Sequence, residues 1–231
     1  MLTLDDVVIT QDDFRLTVDF SVAKGARVAV IGPSGAGKST LLSVIAGFFS
    51  ARSGRVVWDG RDISKDAPGA RPLSILFQDQ NLFPHLTVAQ NVGLGIRPDL
   101  KLSTQERDAV RRALEQTGLG GLDARKPGTL SGGQQSRVAL ARALLRARPI
   151  MLLDEPFAAL GPALKDEMLD LVTEIAAETG ATVLMVSHDP ADARRFAPET
   201  IVVADGVAHS PQPTAPLLDN PPPALAAYLG K

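Results

Sequence analysis

The chain has 231 residues, 45% of them apolar and 22% charged, with Lys+Arg 24 against Asp+Glu 26 and a net charge of −2. That length buries a sizeable core and that composition excludes global disorder, while the charge balance leaves no basic footprint for nucleic acid or an anionic membrane. With no cysteine, disulfides, thiolate metal sites and cysteine nucleophiles are excluded, in keeping with a reducing compartment.

The opening MLTLDDVVITQDD lacks the basic-then-apolar layout of a secretory signal. Apolar runs such as Ile150 to Leu153 fall far short of the ~20 residues needed to cross a bilayer, so a soluble, cytoplasmic chain is expected. Val7–Ile9 reads as a first strand. Leu16, Val18, Phe20 and Val22 alternate with polar neighbours, the pattern of a half-exposed antiparallel strand.

The β-branched run Val28–Ile31 then meets GPSGAGKST, followed by an apolar helix expected over Lys38–Phe49. Strand, glycine loop and helix form the context in which this loop cradles phosphates. Gly32, Pro33, Ser34, Gly35, Ala36, Gly37, Lys38, Ser39 and Thr40 are the candidate nucleotide-binding residues. A side chain at Gly35 or Gly37 is expected to obstruct the approach of backbone N–H groups to the phosphates. Lys38 adds a cation at the β/γ-phosphates, Ser39 a hydroxyl for Mg²⁺, and the helix N-terminus its dipole.

Further strands are expected at Val56–Trp58 and Ile75–Phe77. Gln78, just after the latter, is a neutral amide placed to touch metal or water. From about 82 to 148 the chain reads as a helical subdomain inserted into an α/β core, with helices over Thr104–Thr117 and Ser131–Arg148. The former starts with a Ser103/Glu106 capping box. IMLL and TVLMVS, at Ile150–Leu153 and Val183–Val186, are apolar on both faces, as in a parallel sheet covered by helices. Asp154 closes the first as a Mg²⁺ holder, with Ser39 and Gln78. Glu155 is the expected general base or water polariser, and His188 after the second is assigned to the γ-phosphate. A helix over Ala163–Thr179 and a strand at Ile201–Val203 complete the core. The proline-rich tail 210–231 is expected to wrap loosely and end in one short helix.

LSGGQ, at Leu130 to Gln134, poses a separate problem. Ser131, Gly132, Gly133 and Gln134 open a helix and form a second anion-binding nest, although the first loop is already complete. They lie on another subdomain and cannot easily reach the nucleotide at Lys38 of the same chain. Two copies, head to tail, solve this: each offers Ser131 and Gly133 to the γ-phosphate held by its twin, in a closed two-fold dimer.

GPSGAGKST, the Gln of FQDQ, LSGGQ, LLDEP and SHD, in that order and spacing, resemble the ATP-binding subunits of ABC transporters over essentially the whole chain. Longer blocks, among them RPLSILFQDQNLFPHLTVAQNVGLGI and PALKDEMLDLV, are similar to the ATPases of bacterial thiamine importers. The resemblance implies an α/β fold with a RecA-like P-loop ATPase core, an antiparallel β-subdomain and an inserted helical subdomain. It also implies ATP and Mg²⁺ as cofactors and a homodimer that closes on ATP. The partners implied are transmembrane permease subunits and, indirectly, a periplasmic substrate-binding protein, with the chain peripheral on the cytoplasmic face of the inner membrane. In such transporters Leu82, Phe83, Leu86 and Val88 fall in a groove that receives a permease helix; packing inside the helical subdomain accounts for them equally well.

Three departures from the family pattern stand out. Gly161 occupies the place of a usual Asp after the LLDEP strand, and Ser136 that of a longer amide or basic residue. The aromatic expected near Gln11 to stack on adenine is absent. Phe14 is the nearest replacement, and the sequence leaves open whether it serves. A soluble ATPase acting on DNA or ribosomes is the rival reading, but the coiled-coil inserts, zinc motifs and basic stripe of such proteins are missing. A P-loop kinase or GTPase has no use for LSGGQ.

Overall fold

A computed structural model describes residues 1–229. Strands β1 (Leu2–Gln11) and β2 (Phe14–Val22) pair antiparallel, with Leu16, Val18, Phe20 and Val22 on the buried face. β1 starts five residues before the expected Val7. Leu2 and Leu4 share its buried pattern, but a bulge between Leu4 and Val7, with Asp6 at φ 48°, shifts the phase and hides the continuity.

β3 (Arg27–Ile31) leads through the glycine loop to α1 (Lys38–Ala46). The helix expected to reach Phe49 stops sooner. Gly47 ends it, adopting a left-handed φ of 85° and turning Phe48 and Phe49 out to solvent. β4 (Ser53–Trp58) and β5 (Arg61–Asp62) extend the antiparallel part, and β6 (Leu73–Leu76) follows.

Next come α2 (Val88–Gly93), α3 (Thr104–Gln116) and α4 (Gly132–Leu145), with no strand among the described residues from 77 to 149. Alternation then resumes with β7 (Ile150–Asp154), α5 (Pro162–Thr179), β8 (Thr182–Val186), α6 (Pro190–Phe196) and β9 (Glu199–Ala204). The chain continues through β10 (Val207–Ala208), β11 (Gln212–Pro213), α7 (Thr214–Asp219) and α8 (Pro223–Leu229).

The strands order as β5-β4-β1-β2-β10-β9-β3-β8-β7-β6, with β11 on β9. β9, β3, β8, β7 and β6 run parallel, so the loops after β3, β6, β7 and β8 all leave one edge of the sheet. In α/β sheets that carboxyl edge is where ligands are bound.

Three apolar clusters hold these layers. Leu41, Leu42 and Ile45 of α1 pack with β1, β2 and β4 on one face of the parallel strands. Met168, Leu169 and Val172 of α5 pack with Phe196 on the other. The third cluster, around Val88, Val110, Leu114 and Val138, lies within the helical stretch. α4 belongs to two of them, since Ala139 and Leu140 join the second and Val138 and Ala141 the third. Each fully buried Leu or Val contributes roughly 1.5–3 kcal/mol, so the helical stretch is tied firmly to the sheet through one helix.

The tail is more ordered than the sequence suggests. Leu217, Leu218 and Leu225 are buried in the second cluster, and two short helices replace the loose wrap with one. The prolines punctuate them: Pro213 caps α7 and Pro223 begins α8, where a missing N–H costs nothing. Gly230 and Lys231, the last residues of the proline-rich tail, lie outside the described residues.

Candidate active site

Between β3 and α1 the loop folds around its own lysine. Lys38 is buried, and its Nζ donates to the carbonyls of Gly32 at 2.8 Å and Pro33 at 2.9 Å. Burial pulls its pKa below the ordinary lysine value, opposed by the charges of Glu155 and Asp154. The first helical bond of the segment runs from the Leu41 N–H to the Gly37 carbonyl at 2.8 Å. The N–H groups of Lys38, Ser39 and Thr40 therefore precede the helical ladder and are available to an anion. Ser34 and Gly35 are exposed at the rim, and Ala36 is tied back to the Pro33 carbonyl at 3.2 Å.

The two glycines expected to keep the cradle clear differ. Gly35, at φ 77°, has open space where a Cβ would stand, so a side chain there fills the cradle itself. At Gly37, φ 103°, a Cβ would come within 2.4 Å of the Phe14 ring. Packing beneath the loop therefore also requires the glycine at this position. Phe14 is half-buried there against the first apolar cluster.

Asp154 ends β7 at this edge and accepts from Ser39 Oγ at 2.9 Å. Burial raises the Asp154 pKa, the Ser39 hydroxyl opposes that, and the Glu155 charge adds to it. A hydroxyl and a carboxylate in contact are two hard oxygen ligands, the donor set of Mg²⁺ bound jointly with substrate phosphates. No group of three or more metal-ligating side chains exists among the described residues, so an all-protein cage is not formed.

Glu155 adopts φ 46°, a left-handed conformation uncommon outside glycine and asparagine, with its N–H donating to Val186 O at 3.2 Å. This turns the carboxylate off the line of β7. Its Oε2 lies 3.3 Å from Nδ1 of His188, which follows β8. The imidazole is 60% exposed, while the loop behind it is held tightly. Asp189 caps α6 by accepting from the Ala191 N–H at 2.9 Å, and Lys165 of α5 bridges Asp189 at 2.6 Å and Asp192 at 2.7 Å. The hydrogen bond from Lys165 holds the Asp189 pKa below the usual carboxylate range.

Lys38, Ser39, Asp154, Glu155 and His188 thus converge at one sheet edge. Gln78 lies at the same edge, in the turn after β6, but is exposed and makes no hydrogen bond among the described residues. Its neighbours are better fixed. Gln80 Nε2 donates to Ser136 Oγ at 2.8 Å, and Arg142 donates to the Gln80 and Asn81 carbonyls at 2.7 and 2.9 Å. Sequence reasoning missed this clasp between the Gln78 turn and α4. The short serine at position 136 was the available signal, because it leaves room for the Gln80 amide.

The LSGGQ residues are not brought to the cradle. Ser131 and Gly132 are exposed, and no hydrogen bond joins residues 130–134 to 32–40 among the described residues. Ser131 caps α4, its Oγ accepting from the Gln134 N–H at 3.3 Å while Gln134 Oε1 accepts from the Ser131 N–H at 3.0 Å. Gln134 is therefore occupied within its own turn, whereas the Ser131 hydroxyl proton and the Gly132 N–H remain to be donated at the exposed surface; Gly133 is buried. A Cβ on Gly133 would meet Leu164 of α5 at 2.2 Å, but one on Gly132 meets nothing. Gly161 caps α5 without any side-chain bond, and no neighbour lies near where its Cβ would stand.

A family model described as "ABC transporter" matches residues 16–158. The "Thiamine import ATP-binding protein ThiQ" of Cereibacter sphaeroides is 66% identical over 230 residues, covering 100% of both chains. The protein of that name from Escherichia coli O157:H7 is 51% identical over 206 residues, 89% of each. Among solved structures, the dimeric post-hydrolysis state of the ATP-binding cassette MJ0796 bound to ADP and Pi is similar, with TM-score 0.80 and 30% identity. That match covers 93% of this chain and 99% of the other.

Proposed function

Because this chain belongs to the ABC transporter family and is an ATPase, we propose that it powers a thiamine importer as the ATP-hydrolysing subunit paired with a membrane permease. The observation that carries the reading is the meeting of Lys38, the Ser39–Asp154 pair and the Glu155–His188 pair at one sheet edge. The names of its relatives supply the cargo, since nothing at this edge recognises thiamine.

In this reading the N–H groups of Lys38, Ser39 and Thr40 hold the ATP phosphates, and Lys38 leaves the Gly32 and Pro33 carbonyls for them. Ser39 and Asp154, with Gln78 from the turn after β6, would hold Mg²⁺, which would neutralise phosphate charge. Glu155 takes a proton from the attacking water as its oxygen bonds to the γ-phosphorus. The bond from that phosphorus to the bridging oxygen breaks, releasing ADP and phosphate. His188 donates to the γ-phosphate. Ser131 and the Gly132 N–H of a second copy close the cradle, and the dimeric state of the MJ0796 cassette supports that assembly.

No helix among the described residues is long and apolar enough to cross a membrane. Exposed Phe48, beside Phe77, and exposed Phe83, beside His85, are apolar side chains that a permease segment on the cytoplasmic side would cover. A periplasmic binding protein acts one step further away.

The test is Glu155→Gln in the chain reconstituted with its permease. Turnover and thiamine uptake are expected to fall together, by roughly 10²–10⁴-fold, with ATP binding kept. Wild-type hydrolysis in that variant would falsify the role of Glu155; hydrolysis lost with uptake intact rules out coupling.

A further inference from the structure

The C-terminal helix reaches the catalytic edge. α8 is seated by Leu225, which is fully buried, and by Tyr228, half-buried against the same apolar cluster. From there the Tyr228 hydroxyl donates to the backbone carbonyl of His188 at 2.5 Å, forty residues earlier in the chain. Burial, then the charges of Glu155 and Asp189, push the phenol pKa up, so this donor keeps its proton at neutral pH.

The His188–Asp189 peptide that Tyr228 holds by its carbonyl is also held by its N–H. Ser187 Oγ accepts from the Asp189 N–H at 3.0 Å and donates to Asp192 at 2.7 Å, fixing the backbone on either side. Among the described residues the side chain itself has one hydrogen-bond partner, Glu155 at 3.3 Å. The carbonyl between these anchors sets the plane of the peptide that follows the histidine. Held at both its carbonyl and its N–H, that peptide fixes the backbone torsion at His188; releasing the carbonyl frees the residue, and its imidazole, to shift at the sheet edge.

We propose that Tyr228 is a positioning residue for hydrolysis: by holding the His188 carbonyl, it fixes the direction in which the imidazole leaves the sheet edge. The inference rests on the reading of His188 as a γ-phosphate contact. It makes the seating of α8 a condition for full turnover.

The experiment is a double-mutant cycle in ATP hydrolysis with Tyr228→Phe and His188→Ala. Phenylalanine keeps the ring and its packing, so the melting temperature and ATP affinity are expected to match wild type. Losing one hydrogen bond lowers kcat about 3- to 10-fold with KM for ATP within about twofold. In the His188→Ala background the same change has no further effect. An equal loss in both backgrounds overturns the inference, because Tyr228 then acts without His188. Unchanged kcat in Tyr228→Phe, beside an impaired His188→Ala, also overturns it and leaves the histidine reading standing. Wild-type turnover in His188→Ala removes that reading and the proposal with it.

Discussion

The loop of residues 32–40 and the turn of residues 130–134 are both helix N-termini built from serine and glycine, yet they differ in how far the chain satisfies them. The loop closes on itself: Lys38 is bound to loop carbonyls, Ser39 to Asp154, and Gly37 rests on Phe14. The turn faces outward, with Ser131 and Gly132 exposed and the Gly132 Cβ direction empty. Every constraint on the loop has a cause inside the chain, except the open space at Gly35. In the turn the capping box accounts for Ser131 and Gln134 and Leu164 for Gly133, which leaves Gly132 without such a cause. A glycine that its own chain does not require points to something approaching from outside.

α5 stands between the two regions. Its cap is Gly161, its first turn presents Leu164 to Gly133, and Lys165 anchors the loop of His188.

The contrast within the 130–134 turn gives the largest expected effect on stability. Gly133→Val overpacks the Leu164 contact and is expected to cost about 1–3 kcal/mol in denaturant titrations. Gly132→Val is expected to leave stability within about 0.5 kcal/mol, while ATP-dependent dimerisation of a Glu155→Gln background is lost. Equal destabilisation by both would erase the distinction.

A smaller effect concerns the anchor of His188. Asp189 has its pKa depressed in the folded state, chiefly by the hydrogen bond from Lys165. The sign follows: its stabilisation is fully present above the unfolded value of about 3.9 and is lost as pH falls through the lower folded value. Asp189→Asn is therefore expected to lower stability at neutral pH and to flatten its acid dependence below about pH 4. An unchanged acid limb contradicts the Lys165 anchor.

The smallest effect is at Gly161. Because space is open at its Cβ, Gly161→Asp adds a capping acceptor to α5 and is expected to gain a few tenths of a kcal/mol by thermal melts. A loss instead means that the first turn of α5 is strained by the change.

The sheet was legible because its strands are apolar on both faces, and the cradle because strand, loop and helix are contiguous in GPSGAGKST. Elements joined across long separations were not. The Ser136–Gln80 clasp spans 56 residues and the Tyr228–His188 bond 40, and no periodicity encodes either. The left-handed Glu155 was hidden because nothing local marks a glutamate for that conformation. In the tail the prolines suggested a loose chain, whereas Leu217, Leu218 and Leu225 supplied enough apolar area to seat two helices.

The claim that each catalytic centre is shared between two copies is tested most directly by mixing Ser131→Arg with Lys38→Ala chains and measuring ATP turnover. Neither variant alone is expected to hydrolyse ATP. At random pairing half the dimers carry one intact composite centre, so the mixture is expected to recover up to about a quarter of wild-type activity. If each chain instead completes its own centre, mixing restores nothing, and turnover no higher than the sum of the separate variants contradicts the account.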